Sequence, residues 1–239
     1  MLKPCVGIII QARMGSTRLP NKVLMDLTTQ DCILGYLLRR LSTCNSAHKI
    51  IVATTDNPKD DVIEMYLKNN NYLYFRGSEP DCLDRFYKTA LKYKLDIIVR
   101  ITADCPLIIP EIVDNMIDYY LNNVVHIDYL SNRQYTNFPE GLDIEIFNLN
   151  MLEDAVLNAK SADEREHINY YFLRRSDKYR VRYYNQNYGM DYSRFKLSID
   201  TIQDYERIRA LFVEKSLNIN FSFLDLMNLL LENENLEKL

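Results

Sequence analysis

The chain has 239 residues, 47% hydrophobic and 26% charged, an ordinary composition for a globular protein with one substantial core. Its formal net charge of −4 argues against broad nucleic-acid binding, which requires a basic face. No apolar run reaches the roughly 20 residues of a membrane-spanning helix, so we expect neither membrane association nor a secretory leader.

The cysteines and histidines give no sign of a structural metal or disulfide framework. Five cysteines form no C-x-x-C pair, and the three histidines are widely spaced. We therefore predict a cytoplasmic protein with reduced thiols.

The first half alternates β-branched runs with segments of helical periodicity. Val6–Ile10 is almost wholly apolar, as expected for a strand buried on both faces. Three similar runs are predicted strands: Lys49–Thr54, Tyr72–Phe75 and Asp96–Ile101. Helices are predicted between them, and Asp31 is the expected N-cap of the first. This alternation predicts a mostly parallel sheet with helices on both faces and ligands beyond the carboxyl ends of its strands.

The second half has shorter strands with polar interruptions. The predicted strands are Asp128–Asn132, Leu142–Phe147, Tyr179–Tyr184 and Phe195–Ile199. The predicted helices are Asn150–Ala159, Asp163–Arg174, a segment around Tyr205 to Phe212, and Phe221–Leu231. We predict one domain over 1–239, with an arm or acceptor subregion at about 126–190.

The loop after the first strand, Gln11 to Lys22, is the most informative stretch. Its cations Arg13, Arg18 and Lys22 fall within ten residues. Ala12 precedes the first of these cations, and one glycine and two hydroxyl residues lie between the two arginines: Gly15, Ser16 and Thr17. Close backbone amides, hydroxyl donors and fixed positive charge are what a triphosphate needs, although a solvated basic loop is the simpler alternative. Neither a Walker loop nor G-x-G-x-x-G is present, which disfavours P-loop ATPases and dinucleotide oxidoreductases.

The run Ile9 to Pro20 (IIQARMGSTRLP) resembles the signature of the CMP-sugar-acid synthetase superfamily, which includes acylneuraminate and Kdo cytidylyltransferases. The chain most resembles the spore coat polysaccharide biosynthesis protein F-like branch. Similar motifs continue in order at Arg76–Ser78, Arg100–Ile108, Gly141–Glu145 and Glu164–His167. Asn21 and Ala103 stand where that branch has glycine. Asparagine tolerates left-handed backbone angles, whereas alanine limits close approach of a ligand.

The resemblance implies a fold and an activity. The fold is a three-layer, Rossmann-like (GT-A-like) α/β nucleotidyltransferase with a mostly parallel mixed sheet and a small inserted dimerisation arm. The activity is Mg²⁺-dependent transfer of CMP from CTP to a nonulosonic or 3-deoxy-ulosonic sugar acid, for surface polysaccharide biosynthesis. A homodimer is also implied, and the 18 tyrosines fit such an interface, although A/T-rich codon bias would explain them too.

The resemblance also assigns roles to residues. Asp104 and Asp200 follow predicted strands, where position alone favours a turn or a helix cap. The resemblance makes them Mg²⁺ ligands and, with Arg13 and Lys22, the catalytic set. Further nucleotide contacts are implied for Thr54, Thr55, Asn57, Arg76, Gly77, Ser78 and Thr102.

The acceptor is expected to contact Asp143, Glu145, Arg165 and His167. Asp143 and Glu145 share one strand face, and Arg165 suits a substrate carboxylate. The alternative for residues 164–167 is an exposed helix face with local ion pairs. The general base is left open between a metal-bound carboxylate and His167.

Three competing functions remain at this point. The scaffold could use another nucleoside triphosphate, or a sugar-phosphate or phosphonate acceptor. The second is a metal-dependent glycosyltransferase, a class that a D-x-D motif would favour. Asp81 and Asp84 have the wrong spacing for that motif, and Asp143-Ile144-Glu145 is only a loose analogue. A catalytically dead nucleotide-binding subunit is disfavoured because the charged set of the loop and the two aspartates is retained together.

Overall fold

The computed structural model of the protein describes residues 3–215 and 217–236; residues 1–2, 216 and 237–239 of the predicted domain lie outside this description. One seven-stranded sheet comprises Val6–Gln11 (β1), Lys49–Thr55 (β2), Leu73–Gly77 (β3), Ile97–Thr102 (β4), Tyr129–Ser131 (β5), Glu145–Asn148 (β6) and Val181–Tyr183 (β7). The α-helices are Ile33–Leu41 (α1), Asp61–Asn69 (α2), Cys82–Tyr93 (α3), Pro110–Asn122 (α4), Leu149–Asn158 (α5), Ala162–Glu166 (α6), Ile168–Leu173 (α7), Ile202–Val213 (α8) and Phe223–Leu236 (α9).

The strand order is β3-β2-β1-β4-β6-β5-β7. The first four strands pair in parallel, and β6 runs antiparallel to both of its neighbours. The predicted mostly parallel mixed sheet is therefore confirmed. Residues 126–190 continue this sheet through β5 to β7. In the part of the chain that is described, no helix is long and apolar enough to cross a membrane.

The apolar run of β1 is explained by a helix layer on each face of the sheet. Side chains of a strand alternate between faces. Ile8 and Ile10 pack in one core with apolar residues of α1 and α4, while Ile9 packs in the other with residues of α3, α5 and α7. The carboxyl ends of the central strands β1 and β4 are therefore packed against helices on both faces of the sheet.

The predicted strand Phe195–Ile199 is wrong. The segment forms only one isolated bridge, between Glu140 and Lys196. Its alternating apolar residues reflect burial, since Leu197 and Ile199 are 1% and 0% exposed. The amide of Ile199 donates to the carbonyl of Asp104 at 2.9 Å, which ties this segment to the end of β4.

Two helix predictions also need correction. Cys32, not Asp31, caps α1, because its sulfur accepts from the amide of Gly35 at 3.4 Å, while Asp31 pairs with Arg39 at 2.6 Å. The predicted helix Asp163–Arg174 is broken at His167, whose φ of −110° and ψ of 87° end α6 and begin α7.

Candidate active site

Two adjoining clefts open at the carboxyl ends of β1 and β4, where the sequence predicts a ligand. The first cleft, of about 290 Å³, is lined by Gln11, Arg13, Ser16, Thr17, Arg18, Lys22, Val23, Thr102, Ala103, Asp104, His167 and Asp200. The second cleft, of about 280 Å³, is lined by Arg18, Arg100, Thr102, Asp104, Cys105, Arg133, Glu140, Asp143, Glu145, His167, Ser198 and Asp200. The two clefts share their central residues, so ligands in them would be in contact.

The ammonium of Lys22 joins the two predicted metal ligands. Its Nζ lies 2.9 Å from Oδ2 of Asp104 and 3.4 Å from Oδ1 of Asp200, and it donates to the carbonyl of Ile199 at 2.6 Å. Lys22 is only 7% exposed. A buried cation thus stands between two carboxylates that are 96 positions apart in the sequence.

Neither aspartate caps a helix, but Asp104 does lie in a turn directly after β4, the other role that position alone favours for it. Helix α4 begins at Pro110, well after Asp104. The N-cap of α8 is Thr201, which forms a capping box with Asp204. Oδ2 of Asp204 also accepts from the amide of Asp200 at 3.1 Å. Asp204 therefore fixes the backbone at Asp200 and leaves the Asp200 side chain facing the cleft.

Asp104 is held in its charged form. Burial favours the neutral acid, but the nearby Lys22 ammonium and the Thr102 hydroxyl outweigh it and lower the pKa of Asp104 below its ordinary value. A carboxylate that stays ionised is suited to bind a cation.

The loop after β1 is shaped by local hydrogen bonds. Asn21 has φ of 63°, the left-handed conformation anticipated from asparagine at that position. The amide of Met14 donates to Oδ1 of the buried Asp60 at 2.7 Å, and Thr55 donates its hydroxyl proton to the same carboxylate. These contacts turn the loop so that Arg13, Ser16, Thr17, Arg18 and Lys22 line the first cleft.

The two loop arginines already contact carboxylates. Nη2 of Arg18 lies 2.8 Å from Oδ1 of Asp200, and Nη2 of Arg13 lies 3.2 Å from Oε1 of Glu166. Both guanidinium groups are partly exposed, at 36% for Arg13 and 62% for Arg18. They can therefore exchange these single-atom contacts for phosphate oxygens, which the arginine fork can bind in a bidentate manner.

Several predicted nucleotide contacts face other partners. Thr54 and Thr55 are fully buried. Asn57 caps a short 3-10 helix and donates to Glu79 at 2.7 Å, and Arg76 pairs with Asp61 and Glu64 at 2.6 Å each. The remaining such residues, Ala12, Gly15, Gly77 and Ser78, are also absent from the linings of the two clefts.

Arg165 is likewise directed away from the clefts. Its guanidinium pairs with Asp81 at 2.9 Å and donates to the carbonyls of Val156 and Ala159. This arrangement joins α6 to α3 and α5. His167, by contrast, is exposed and lines both clefts.

The second cleft has a buried ionic floor. Glu145, 2% exposed, pairs with Arg100 and accepts from the Tyr129 hydroxyl at 2.6 Å, and Arg100 also donates to Oε1 of Gln11 at 3.0 Å. Asp143 lies in the wall of the same cleft, 3.6 Å from Nε of Arg133. Burial raises the pKa of Asp143 to about 6.

The residues missed from the sequence mostly support others. Asp60 and Asp204 gave no signal, because each lies in a common helix-start pattern, whereas Glu166 lies within the motif Glu164–His167 without an assigned role. Arg100 begins the motif Arg100–Ile108, and its position before Thr102 in β4 was the available clue. Arg133 directly follows the predicted strand Asp128–Asn132, and that position after a strand was the available clue.

The donor set fits a magnesium ion. Mg²⁺ in proteins is usually bound by one or two carboxylates together with substrate phosphates and water. Asp104 and Asp200 converge on one buried ammonium, so a cation is already favoured between them. Among the described residues no group of three or more His, Cys, Asp or Glu side chains could form a full metal cage. The ion would therefore depend on phosphate ligands.

Comparison with known proteins decides the family. A family model described as cytidylyltransferase matches residues 7–236. The chain belongs to the cytidylyltransferase family. The protein is accordingly a CTP-dependent nucleotidyltransferase, and the resemblance of the sequence motifs is confirmed.

Individual relatives agree over nearly the whole chain. The spore coat polysaccharide biosynthesis protein SpsF of Bacillus subtilis is 35% identical over 231 residues, which is 94% of this chain and 93% of SpsF. The structure of a cytidylyltransferase from Leptospira borgpetersenii serovar Hardjo-bovis superposes with a TM-score of 0.91 at 39% identity, covering 98% of this chain and 96% of that one. A CMP:2-keto-3-deoxy-manno-octonic acid synthetase complexed with CTP has the same fold, with a TM-score of 0.66 at 17% identity over 88% of this chain and 99% of that chain.

Proposed function

We propose that this cytidylyltransferase transfers CMP from CTP to a hydroxyl of a nonulosonic or 3-deoxy-ulosonic sugar acid, for surface polysaccharide biosynthesis. The observation that carries the proposal is the convergence of Asp104, Asp200 and Lys22 between the two clefts. The name of the B. subtilis relative supports the polysaccharide role, and the octonic acid synthetase with bound CTP supports a sugar acid.

The first cleft would hold the triphosphate. Arg13, Arg18 and Lys22 would bind the β- and γ-phosphates and neutralise the charge of the leaving pyrophosphate. Magnesium held by Asp104 and Asp200 would stabilise negative charge at the α-phosphate.

The second cleft would hold the acceptor. Its hydroxyl oxygen forms a bond to the α-phosphorus in line with the bridging oxygen, whose bond to that phosphorus breaks as pyrophosphate leaves. Arg133 would pair with a sugar carboxylate, because Arg100 is committed to Glu145 and Arg18 is assigned to the phosphates, and the ring of His167 could donate a hydrogen bond to it. Such catalysis rests mainly on positioning and electrostatics.

An assay of pyrophosphate release tests the proposal. The enzyme is incubated with Mg²⁺, each of the four common ribonucleoside triphosphates, and 3-deoxy-manno-octulosonate, N-acetylneuraminate or a sugar phosphate. We expect release with CTP and a sugar acid. No release with any pair would overturn the transferase proposal, and release with UTP or GTP alone would overturn the choice of CTP. If product forms only with the sugar phosphate, the acceptor is a sugar phosphate and not a sugar acid.

We also infer a homodimer formed through the 126–190 subregion. Tyr135, Tyr170 and Met190 present exposed apolar surface there, at 86%, 36% and 46% exposure. Light scattering coupled to size exclusion should give twice the mass of 28.3 kDa. A monomeric mass at micromolar concentration would contradict this inference.

A further inference from the structure

Asp143 differs from the other carboxylates of the second cleft in its lack of hydrogen bonds. Within the described chain, no donor reaches hydrogen-bond distance of its oxygens, and its one ionic partner, Nε of Arg133, is 3.6 Å away. The other carboxylates are all engaged: Glu145 by Arg100 and Tyr129, Glu140 by Ser198, Asp104 by Lys22, and Asp200 by Arg18 and Lys22.

The fold nevertheless holds Asp143 firmly in the cleft wall. Its neighbours Leu142 and Ile144 are each 1% exposed, while its own side chain keeps 22% of its surface open. The amide of Ile144 donates to the buried Oδ1 of Asn132 at 2.7 Å, and Nδ2 of Asn132 donates to the carbonyl of Leu142 at 2.8 Å. Asn132 therefore clamps the backbone on both sides of Asp143.

The environment tunes the acidity of this group. Burial raises the pKa of Asp143 to about 6, and Arg133 opposes that effect. The other charged or titratable groups that face it across the cleft are Arg18, Arg100, Asp104, Cys105, Glu140, Glu145, His167 and Asp200. A carboxylate with a pKa near the working pH and free lone pairs has the properties of an efficient base.

We propose that Asp143 is the general base that removes the proton from the attacking hydroxyl of the acceptor. The assignment rests on the proposed cytidylyl transfer. The hydroxyl proton moves to an oxygen of Asp143 as the hydroxyl oxygen bonds to the α-phosphorus. The bond from that phosphorus to the bridging oxygen breaks, and its electron pair leaves with pyrophosphate. Water at the open face of the cleft then takes the proton from Asp143.

Alternative bases have weaker geometry. The carboxylate of Asp104 is already paired with Lys22, and that of Asp200 is paired with Arg18 and Lys22, so both are engaged by cations. His167 is exposed at the junction of α6 and α7, with its ring 4.9 Å from that of Tyr170. Arg133, 51% exposed, can move to an acceptor carboxylate and leave Asp143 beside the acceptor hydroxyls.

The test is the single-turnover rate of CMP transfer between pH 5 and 9, with CTP, Mg²⁺ and whichever of 3-deoxy-manno-octulosonate or N-acetylneuraminate the wild type uses. Asp143→Asn should lower this rate about 10²- to 10⁴-fold and abolish its fall at acid pH, with the KM for CTP unchanged. Glu140→Gln removes the same charge from the same cleft and should keep the acid limb. Asp143→Glu should restore part of the rate.

The possible outcomes separate the two proposals. If wild type transfers CMP but Asp143→Asn keeps its rate and acid limb, or only raises the acceptor KM, the base assignment fails. Loss of the acid limb in His167→Gln instead would also overturn it. If wild type uses neither acceptor, the acceptor class fails and the base assignment falls with it. CTP binding and thermal melting of each variant test for misfolding. If Asp143→Asn does not fold, the transfer rate and acid limb of Asp143→Glu are compared with those of wild type, and an unchanged rate and acid limb would then contradict the base assignment.

Discussion

Lys22 and Asp104 form an ion pair of 2.9 Å whose ammonium occupies the space between two carboxylates suited to a divalent cation. The same ammonium lies 3.4 Å from Asp200. A cation that enters between the carboxylates must displace Lys22. Because Lys22 is also expected to bind the triphosphate, nucleotide and metal should enter together.

Lys22→Met should therefore tighten metal binding in the absence of nucleotide. Removal of the competing ammonium leaves Asp104 without its cation and Asp200 with only Arg18 and Lys196, and we expect roughly tenfold tighter Mn²⁺ binding, or about 1.4 kcal/mol. Mn²⁺ binding is measured by electron paramagnetic resonance, with Asp104→Asn as a control that should weaken it. Unchanged Mn²⁺ affinity in Lys22→Met would show that the ammonium does not compete.

Asp204→Ala should reduce both stability and turnover. Loss of the capping box costs about 1 kcal/mol, or a fall in Tm of roughly 2–4 °C, and it also frees the backbone at Asp200. Asp225→Ala is the matched control, since Asp225 forms the equivalent contacts with Ser222 at the start of α9. It should lower Tm by a similar amount while kcat is retained. Equal kcat for both variants would argue against a positioning role of Asp204.

Arg133 and Arg165 should behave differently when replaced by alanine. Arg133 lines the second cleft, so Arg133→Ala should raise the acceptor KM by about tenfold. Arg165 joins α6 to Asp81 and to two carbonyls of the α5 region, so Arg165→Ala should lower Tm with little change in that KM. Steady-state kinetics and thermal melting distinguish them. If Arg165→Ala raised the acceptor KM more than Arg133→Ala did, Arg165 would contact the acceptor, as predicted from the sequence.

Asp143 should make folding stability depend on pH. The pKa of Asp143 in the folded state, about 6, lies above its value in the unfolded chain. The stability that the neutral Asp143 side chain contributes to the folded state is therefore fully present below the unfolded pKa, and it is lost as the pH rises through about 6. Asp143→Asn cannot ionise and should exceed wild-type stability by up to about 2 kcal/mol at pH 8, but not at pH 4. Urea unfolding at both pH values measures this difference. Asp104→Asn should have the opposite sign at pH 8, because the folded pKa of Asp104 is lowered.

The parallel half of the sheet could be predicted because its evidence is local. Val6–Ile10 and its counterparts are continuous apolar runs between helical patterns, and the two helix layers account for them. Phe195–Ile199 carries an alternating apolar pattern that also favours a strand, yet its apolar side chains are buried by packing and the segment forms only one isolated bridge. The pattern of apolar residues indicates which side chains are buried, but it does not determine whether the backbone pairs with a neighbouring strand.

The charged residues of the site could be identified from motifs, but their partners could not. Lys22 meets Asp200 across 178 positions, and Arg13 meets Glu166 across 153. Arg76 and Arg165 belong to motifs of the resemblance, yet Arg76 pairs with two carboxylates of α2, and Arg165 pairs with Asp81, the N-cap of α3, and donates to nearby carbonyls. Only the fold determines which charges reach a ligand.

The central claim is that CMP is transferred from CTP with the help of Asp104. It is tested most directly with CTP labelled with ³²P at either the α- or the γ-phosphate, in the presence of Mg²⁺ and a sugar acid. We predict that the α-label enters the sugar product, that the γ-label is released as pyrophosphate, and that Asp104→Ala abolishes both. Asp163→Asn, which removes an exposed carboxylate paired with Arg174, should leave both unchanged. Release of the γ-label as orthophosphate, or transfer that persists in Asp104→Ala, would contradict the account.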